Sequence, residues 1–529
     1  MLTTLHKLLN LNRCCTQIPP QTTPFSSYIF ISSTFKFLSS LSQQSQSQSQ
    51  SLDIDIDTIT KIINDHPFPH QPLHPTLLHH LPPSSTTTSS FFVQNVLGRL
   101  FASHSNGLKA LEFFRFSLTH HHPFITHDAL DKTLHILARM RYFDQAWDLL
   151  REISQHHPRL LTLKSMSILL SKIAKHQSFE DTLEAFRRFE DEVFLGIREF
   201  GTDEFNVLLK AFCTQRQMKE AKSVFRKMVP SRFNPNTKTM NILLLGFKES
   251  GDVTSVELFY HEMVRRGFAP DSVTYNVRID AYCKKGCFGD ALRLLDEMES
   301  RKFAPTIETM TTLIHGAGLI RNIGKARQLF SEEIPFRNLV ADTGAYNALI
   351  SSLVRLRDIE SALSLMDEMV EKQIELDGVT YHTLFSGLIR SKGGVEGVTE
   401  LYQKMTSRNF VPKTRTVVML MKYFCQNCRL DLGLGLWKYL VEKGYCPHAH
   451  ALDLLVTGLC SRGLVQEAFE CSKQMLLRGR QMSAAAFLML ERFLLKSRDM
   501  DKLKELDQMT KKLQSVLPPS RGHAIGISD

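Results

Sequence analysis

Met228, Met263 and Met298 stand 35 residues apart, and Met369, Met405 and Met475 continue the series at 36 and 70. Ala221, Ala291, Ala326, Ala362 and Ala468 keep the same step. A fixed step of this length marks a solenoid, in which each unit buries its apolar surface against the units before and after it. The clearest unit is 343–377. Tyr346, Leu349, Ile350 and Leu353 fall at i, i+3, i+4 and i+7, and Ala362, Leu365, Met366 and Met369 do the same. That spacing predicts two amphipathic helices. The break at Arg357-Asp358 is short enough to force them antiparallel. Residues 202–236 repeat the pattern slot for slot, with Phe205, Leu208, Leu209 and Phe212 and then Ala221, Val224, Phe225 and Met228.

The register gives eight units: 202–236, 237–271, 272–306, 307–342, 343–377, 378–413, 414–448 and 449–483. Small Ala lets the second helix sit close to the first, and Met fills the irregular space between units. Pro235, Pro270, Pro305, Pro412 and Pro447 end the second helices, since proline cannot continue them. Degenerate units are expected at 91–126 and 127–162, with a longer one at 163–201, and 484–514 reads as a helical C-terminal cap before a tail at 515–529.

Upstream of the repeats, 44–51 alternates Gln and Ser and reads as disordered. The Pro- and His-rich stretch 53–90 reads as a disordered linker holding one short helix, 59–64. The first acidic residue is Asp53, and the residues before it carry Lys7, Arg13 and Lys36 among many Ser and Thr. This is the composition of an organelle transit peptide over 1–52. Leu2, Leu5, Leu8 and Leu9 beside Lys7 favour a mitochondrial one, with the Ser-rich remainder keeping the chloroplast as the alternative. A net charge of +10 and a pI near 9.0 favour a polyanionic partner. No apolar run reaches the ~18–20 residues of a membrane span, so membrane insertion is not expected.

Tyr-Asn in the first helix, Cys-Lys-x-Gly at its end, Ala and then Glu-Met in the second helix, and a terminal Pro-Asp recur at fixed offsets, as in 272–306. With these features the unit resembles the pentatricopeptide repeat. The tetratricopeptide repeat fits less well, because the Trp, Leu-Gly and Tyr signature is missing. The resemblance implies an all-α fold, a right-handed α-solenoid, in which one repeat reads one RNA base through its fifth and last residues. Carried over by slot, Asn206 with Asn236 implies a pyrimidine, Asn241 with Asp271 uracil, and Asn276 with Thr306 a pyrimidine. Thr311 with Asp342 implies guanine and Asn347 with Asp377 uracil. The implied core is 5′-YUYGU-3′.

His382 with Lys413, Val418 with His448, and Asp453 with Ser483 match no such pair. Val273 and Val379 hold the second slot, where the family places apolar walls beside a base, whereas Asp203, Lys238, Glu308 and Gly344 hold it elsewhere. Lys284, Arg355 and Arg390, at the thirteenth slot, are the candidates for phosphate contacts. Each polar residue has a plainer reading, as a helix cap or a solvated charge.

Cys213, Cys283, Cys425 and Cys460 share the twelfth slot and read as packing residues. Cys425 with Cys428 makes a lone CxxC without the second pair that a zinc site needs. No cofactor or metal is implied, and neither a deaminase motif nor a phosphate-binding Gly loop is present, so the chain reads as a non-enzyme. The expected function is preferential binding of single-stranded organellar RNA, acting in stabilisation, processing, splicing or translation. The alternative is a protein-interaction scaffold, for example on the organellar ribosome.

Overall fold

A computed structural model describes residues 49–68, 71–81, 90–120, 125–228, 233–391 and 394–516. All but 49–51 of these lie in one compact unit, Leu52–Asp529. The expected transit segment, except for its last residues, and all of the expected tail 515–529 but its first two residues, which end the helix Met500–Val516, fall outside them.

The described residues fold as helical hairpins, with no strand among them. The unit 343–377 is typical: helices Thr343–Arg355 and Ile359–Glu371 pack antiparallel. Tyr346, Leu349, Ile350, Leu353, Ala362, Met366 and Met369 are all buried. Each fully buried Leu or Ile contributes about 1.5–3 kcal/mol. The turn between the helices is set by one left-handed residue, Arg357 at φ 63°, and Asp358 N–H donates back to Leu353 O at 3.1 Å. The same slot is left-handed at Arg216, Gly251, Gly286, Arg321, Cys428 and Gly463. Cys428 is therefore a turn residue.

Stacking between hairpins depends on a detail of step two. The tenth slot is glycine in every second repeat: Gly246, Gly316, Gly387 and Gly458. A Cβ at Gly246 would meet Cys213 Sγ at 2.7 Å, one at Gly316 would meet Cys283 Cβ at 2.7 Å, and one at Gly458 would meet Cys425 Sγ at 3.2 Å. Cys213, Cys283 and Cys425 thus pack into room left by the next repeat's glycine. The 36-residue repeat 307–342 absorbs its extra length as a π-turn at Leu329–Glu333, as single-residue insertions in helices do. The long repeat 163–201 has another at Phe189–Val193.

One region differs from expectation. The stretch read as a linker carries helices Ser49–Asp65 and Leu73–His80, with Ile56, Ile63, Phe68, Leu73 and Leu77 buried. Ile56, Ile63, Leu73 and Leu77 join the apolar core of the first repeats with Val96, Leu100 and Phe113, and polar contacts tie the segment to the far end of the array. Asn64 Nδ2 donates to Gly444 O at 2.8 Å, Asn106 Nδ2 to Gly479 O at 2.6 Å, and Cys446 N–H to Ser103 O at 3.0 Å. Arg478, 7% exposed, binds Asp65 and the carbonyls of Tyr445 and Val441. The start of the array therefore packs on its last repeats, and sequence separations above 370 residues close the unit on itself.

Candidate nucleic-acid interface

The fourth-slot tyrosines explain how the fifth slot is placed. A buried Tyr hydroxyl needs a partner, and Tyr275 and Tyr346 donate at 2.9 Å to Glu297 and Glu368 of their second helices. This anchors the first helix on the second and accounts for the recurring Glu-Met. The neighbouring fifth-slot residue is then turned toward the gap between successive first helices.

In two repeats the predicted pairs are in contact. Asn241 Nδ2 donates to Asp271 Oδ1 and Oδ2 at 3.0 and 3.2 Å, and Asn347 Nδ2 donates to Asp377 Oδ1 at 3.0 Å. The last-slot residue also has the plainer role. Asn236, Asp271, Thr306, Asp342, Asp377, His448 and Ser483 each cap the helix that follows.

A third residue, which the sequence reading missed, completes the arrangement: the third-slot threonine of the next repeat. Thr274 Oγ1 donates to Asn241 Oδ1 at 2.7 Å, and Thr380 Oγ1 to Asn347 Oδ1 at 2.7 Å. Thr309 does the same to Asn276 at 2.7 Å. A carboxylate only accepts hydrogen bonds, so the amide NH2 must face the aspartate and the carbonyl oxygen the hydroxyl. The amide is thereby held in one orientation, with one N–H and one lone pair still uncommitted. The signal was present in the sequence as Thr239, Thr274, Thr309, Thr380 and Thr416 at one slot.

The remaining pairs are less complete. Asn276 is drawn to Thr309, while Thr306 caps Thr309 N–H. Thr311 faces a gap whose third-slot residue is Ala345, and Asp342 caps Ala345 N–H at 3.0 Å. Asn236 caps Thr239 N–H at 2.9 Å, and Asn206 is buried with neither amide atom partnered among the described residues. Asp453, which matched no family pair, has the paired geometry nonetheless: Ser483 Oγ donates to Asp453 Oδ1 at 2.7 Å. Far upstream, Gln94 Nε2 donates to Thr126 Oγ1 at 2.6 Å in the same relation.

The thirteenth-slot cations are not equivalent. Lys284 lies 2.9 Å from Asp280 and 3.7 Å from Glu249, in a cluster that Lys248 completes. Its charge is balanced within the protein. Arg355 Nη2 reaches His315 Nε2 at 3.2 Å. Burial, and then Arg355 itself, push the His315 pKa down to about 4, so the neutral ring nitrogen accepts. Arg390 is exposed. Burial pushes His382 down to about 4, with Arg415 and Arg390 adding to the effect. Of the second-slot residues, Val273 and Val379 are 49% and 39% exposed, open to a ligand's flat face.

A family model described as the PPR repeat family matches 204–249, 235–284, 270–318 and 341–390. A pentatricopeptide repeat-containing protein of Arabidopsis thaliana is 57% identical over 462 residues, 87% of this chain and 92% of that one. The chain is a pentatricopeptide repeat protein. Another such protein of Arabidopsis thaliana, named as mitochondrial, is 28% identical over 65% of this chain and 59% of its own length. The crystal structure of a maize pentatricopeptide repeat protein is similar at 17% identity, covering 88% of this chain and 74% of that one, with a TM-score of 0.37. In this pentatricopeptide repeat protein the matched residues contain every predicted reading pair, and 414–483 lies beyond them. The hairpins Thr414–Gln426 with Leu430–Glu442 and Ala449–Ser461 with Val465–Leu477 continue the fold there.

Proposed function

We propose that the chain binds single-stranded organellar RNA with sequence preference, the mitochondrion being the favoured compartment, and that Asn241–Asp271 and Asn347–Asp377 each read a uracil. The observation that carries this is the recurrence of one oriented amide, held by an aspartate and a threonine, in two repeats. The free N–H and lone pair of such an amide match the O4 acceptor and N3–H donor of a uracil edge. Asn206, Asn236, Asn276, Thr306, Thr311 and Asp342 fill out the core 5′-YUYGU-3′. Exposed Val273 and Val379 support bases by contact with their faces, and Arg390 and Arg355 meet phosphate. Lys284 contributes less, because its charge is already matched. The protein acts by occupancy, shielding, folding or exposing the RNA it covers.

The test is binding of the full-length chain to an RNA containing YUYGU and to its scrambled form. The first binds more tightly, and affinity falls as salt rises. Equal affinity at moderate salt rejects base reading. Asn241→Ser shifts preference at the second base from uracil toward guanine; an unchanged preference rejects the register.

A further inference from the structure

Asp203 stands three residues before Asn206 on the helix Thr202–Thr214, so the two share a face. Its carboxylate forms a 3.0 Å ion pair with Lys238 on the first helix of the next repeat. The pair thus spans the gap that Asn206 faces. Asn206 is only 2% exposed, and among the described residues neither its Nδ2 nor its Oδ1 has a partner. A buried amide without partners carries a desolvation cost. The arrangement recurs upstream, where Lys164 pairs with Asp128 at 2.8 Å and with buried Asp131 at 3.3 Å, again between successive first helices. At Asn347 the flanking second-slot residues are Gly344 and Val379, which cannot form an ion pair.

We propose that Asp203–Lys238 is a latch over Asn206. Without RNA it keeps the amide from a base. When RNA arrives, a phosphate replaces Asp203 as the partner of Lys238, the gap opens, and Asn206 gains the hydrogen bonds it lacks. Both side chains are more than half exposed, at 65% and 55%. Such a pair shifts an equilibrium by roughly 1.5- to 5-fold and is screened by salt, weak enough for a polyanion to displace. The latch makes the first base of the core less sharply read than the second. This inference rests on the RNA-reading function proposed above.

The experiment measures affinities of the full-length chain for RNAs varied separately at the first and second core bases. In the unaltered protein the pyrimidine-to-purine ratio at the first base is smaller than the uracil-to-adenine ratio at the second. Asp203→Ala raises the first-base ratio by roughly 2- to 5-fold and leaves the second unchanged. Lys238→Ala also raises the first-base ratio while weakening binding to every RNA, which separates a latch from a simple change in charge. A uniform gain for all RNAs in Asp203→Ala, with the first-base ratio unmoved, overturns the latch and reduces Asp203 to a repulsive charge. An unaltered protein that reads both bases equally overturns it too. Loss of discrimination at both bases in every protein overturns the RNA reading itself and the latch with it.

Discussion

Asp271 and Ser483 hold the same place in their repeats. Each touches the fifth-slot residue and caps the next helix. Their surroundings differ. Around Asp271 the polar network is local, made of Asn241 and Thr274. In the last two repeats the loops after the second helices hold the start of the array, through Gly444, Cys446, Leu477, Arg478 and Gly479. The hairpin is common to both regions, and what differs is whether the loop after the second helix stays within its own repeat or serves the protein's closure. In 414–448, where Val418 has no polar group to offer, the loop just before His448 is engaged with Asn64 and Ser103.

The largest expected effect breaks the closing region alone. Arg478→Ala removes a buried guanidinium from Asp65 and two carbonyls, leaving acceptors in a closed junction. The cost is about 3 kcal/mol. Hydrogen exchange should show helices Ser49–Asp65 and Leu73–His80 losing protection while 237–377 keeps its own. Equal loss in both regions contradicts the division.

Acid should act on the same junction. His104 bonds Thr414 at 2.9 Å. Burial, and then Arg139, Arg480 and His448, push its pKa down to about 3. A folded-state value below the unfolded 6.5 means that neutral His104 contributes stability above pH 6.5 and loses it as pH falls toward 3. At pH 5 the loss is about 2 kcal/mol. Protection factors at 56–81, taken against the intrinsic rate at each pH, should fall between pH 6.5 and 5, and His104→Gln should flatten that dependence.

The hairpins were legible because Met, Ala and Pro repeat at one step and the apolar spacing is helical. The pairs Asn241–Asp271 and Asn347–Asp377 came from the resemblance to the pentatricopeptide repeat, once that step had fixed the slots. Thr274 and Thr380 were hidden, because a threonine in the first turn of a helix looks like local capping chemistry. Here its hydroxyl also crosses to the preceding repeat. The closure at Asn64, Asn106 and Arg478 left no periodic trace: it is made by loop carbonyls and single side chains far apart in sequence. Read alone, the Pro- and His-rich composition of 53–90 says loop, yet Ile56, Ile63 and Leu73 find cover only in the folded unit.

Smaller effects sharpen the comparison from the reading side. Thr274→Val keeps the volume but removes the hydroxyl that holds Asn241. Stability should fall by about 1 kcal/mol, uracil preference at the second base should weaken, and the junction should keep its exchange protection. Thr416→Val serves as the control, since Thr416 meets His382 at 3.1 Å instead of an amide. It should leave base preference unchanged.

The smallest effect sets the left-handed turn residue of one region against that of the other. Arg357 has φ 63° and Gly463 has φ 78° at the same slot. A side chain there costs up to about 1 kcal/mol relative to glycine. Arg357→Gly should therefore stabilise slightly, by less than about 1 kcal/mol after the unfolded chain's gain in freedom. Gly463→Ala should destabilise by about 1 kcal/mol. Neither change touches a reading pair or a closing contact, so thermal midpoints should move in opposite directions while base preference and exchange protection at 56–81 stay fixed. A shift in base preference from Arg357→Gly would mean that the turn, ten residues beyond Asn347, sets the angle of the reading amide, and the separation between what builds the hairpin and what it reads would have to be given up.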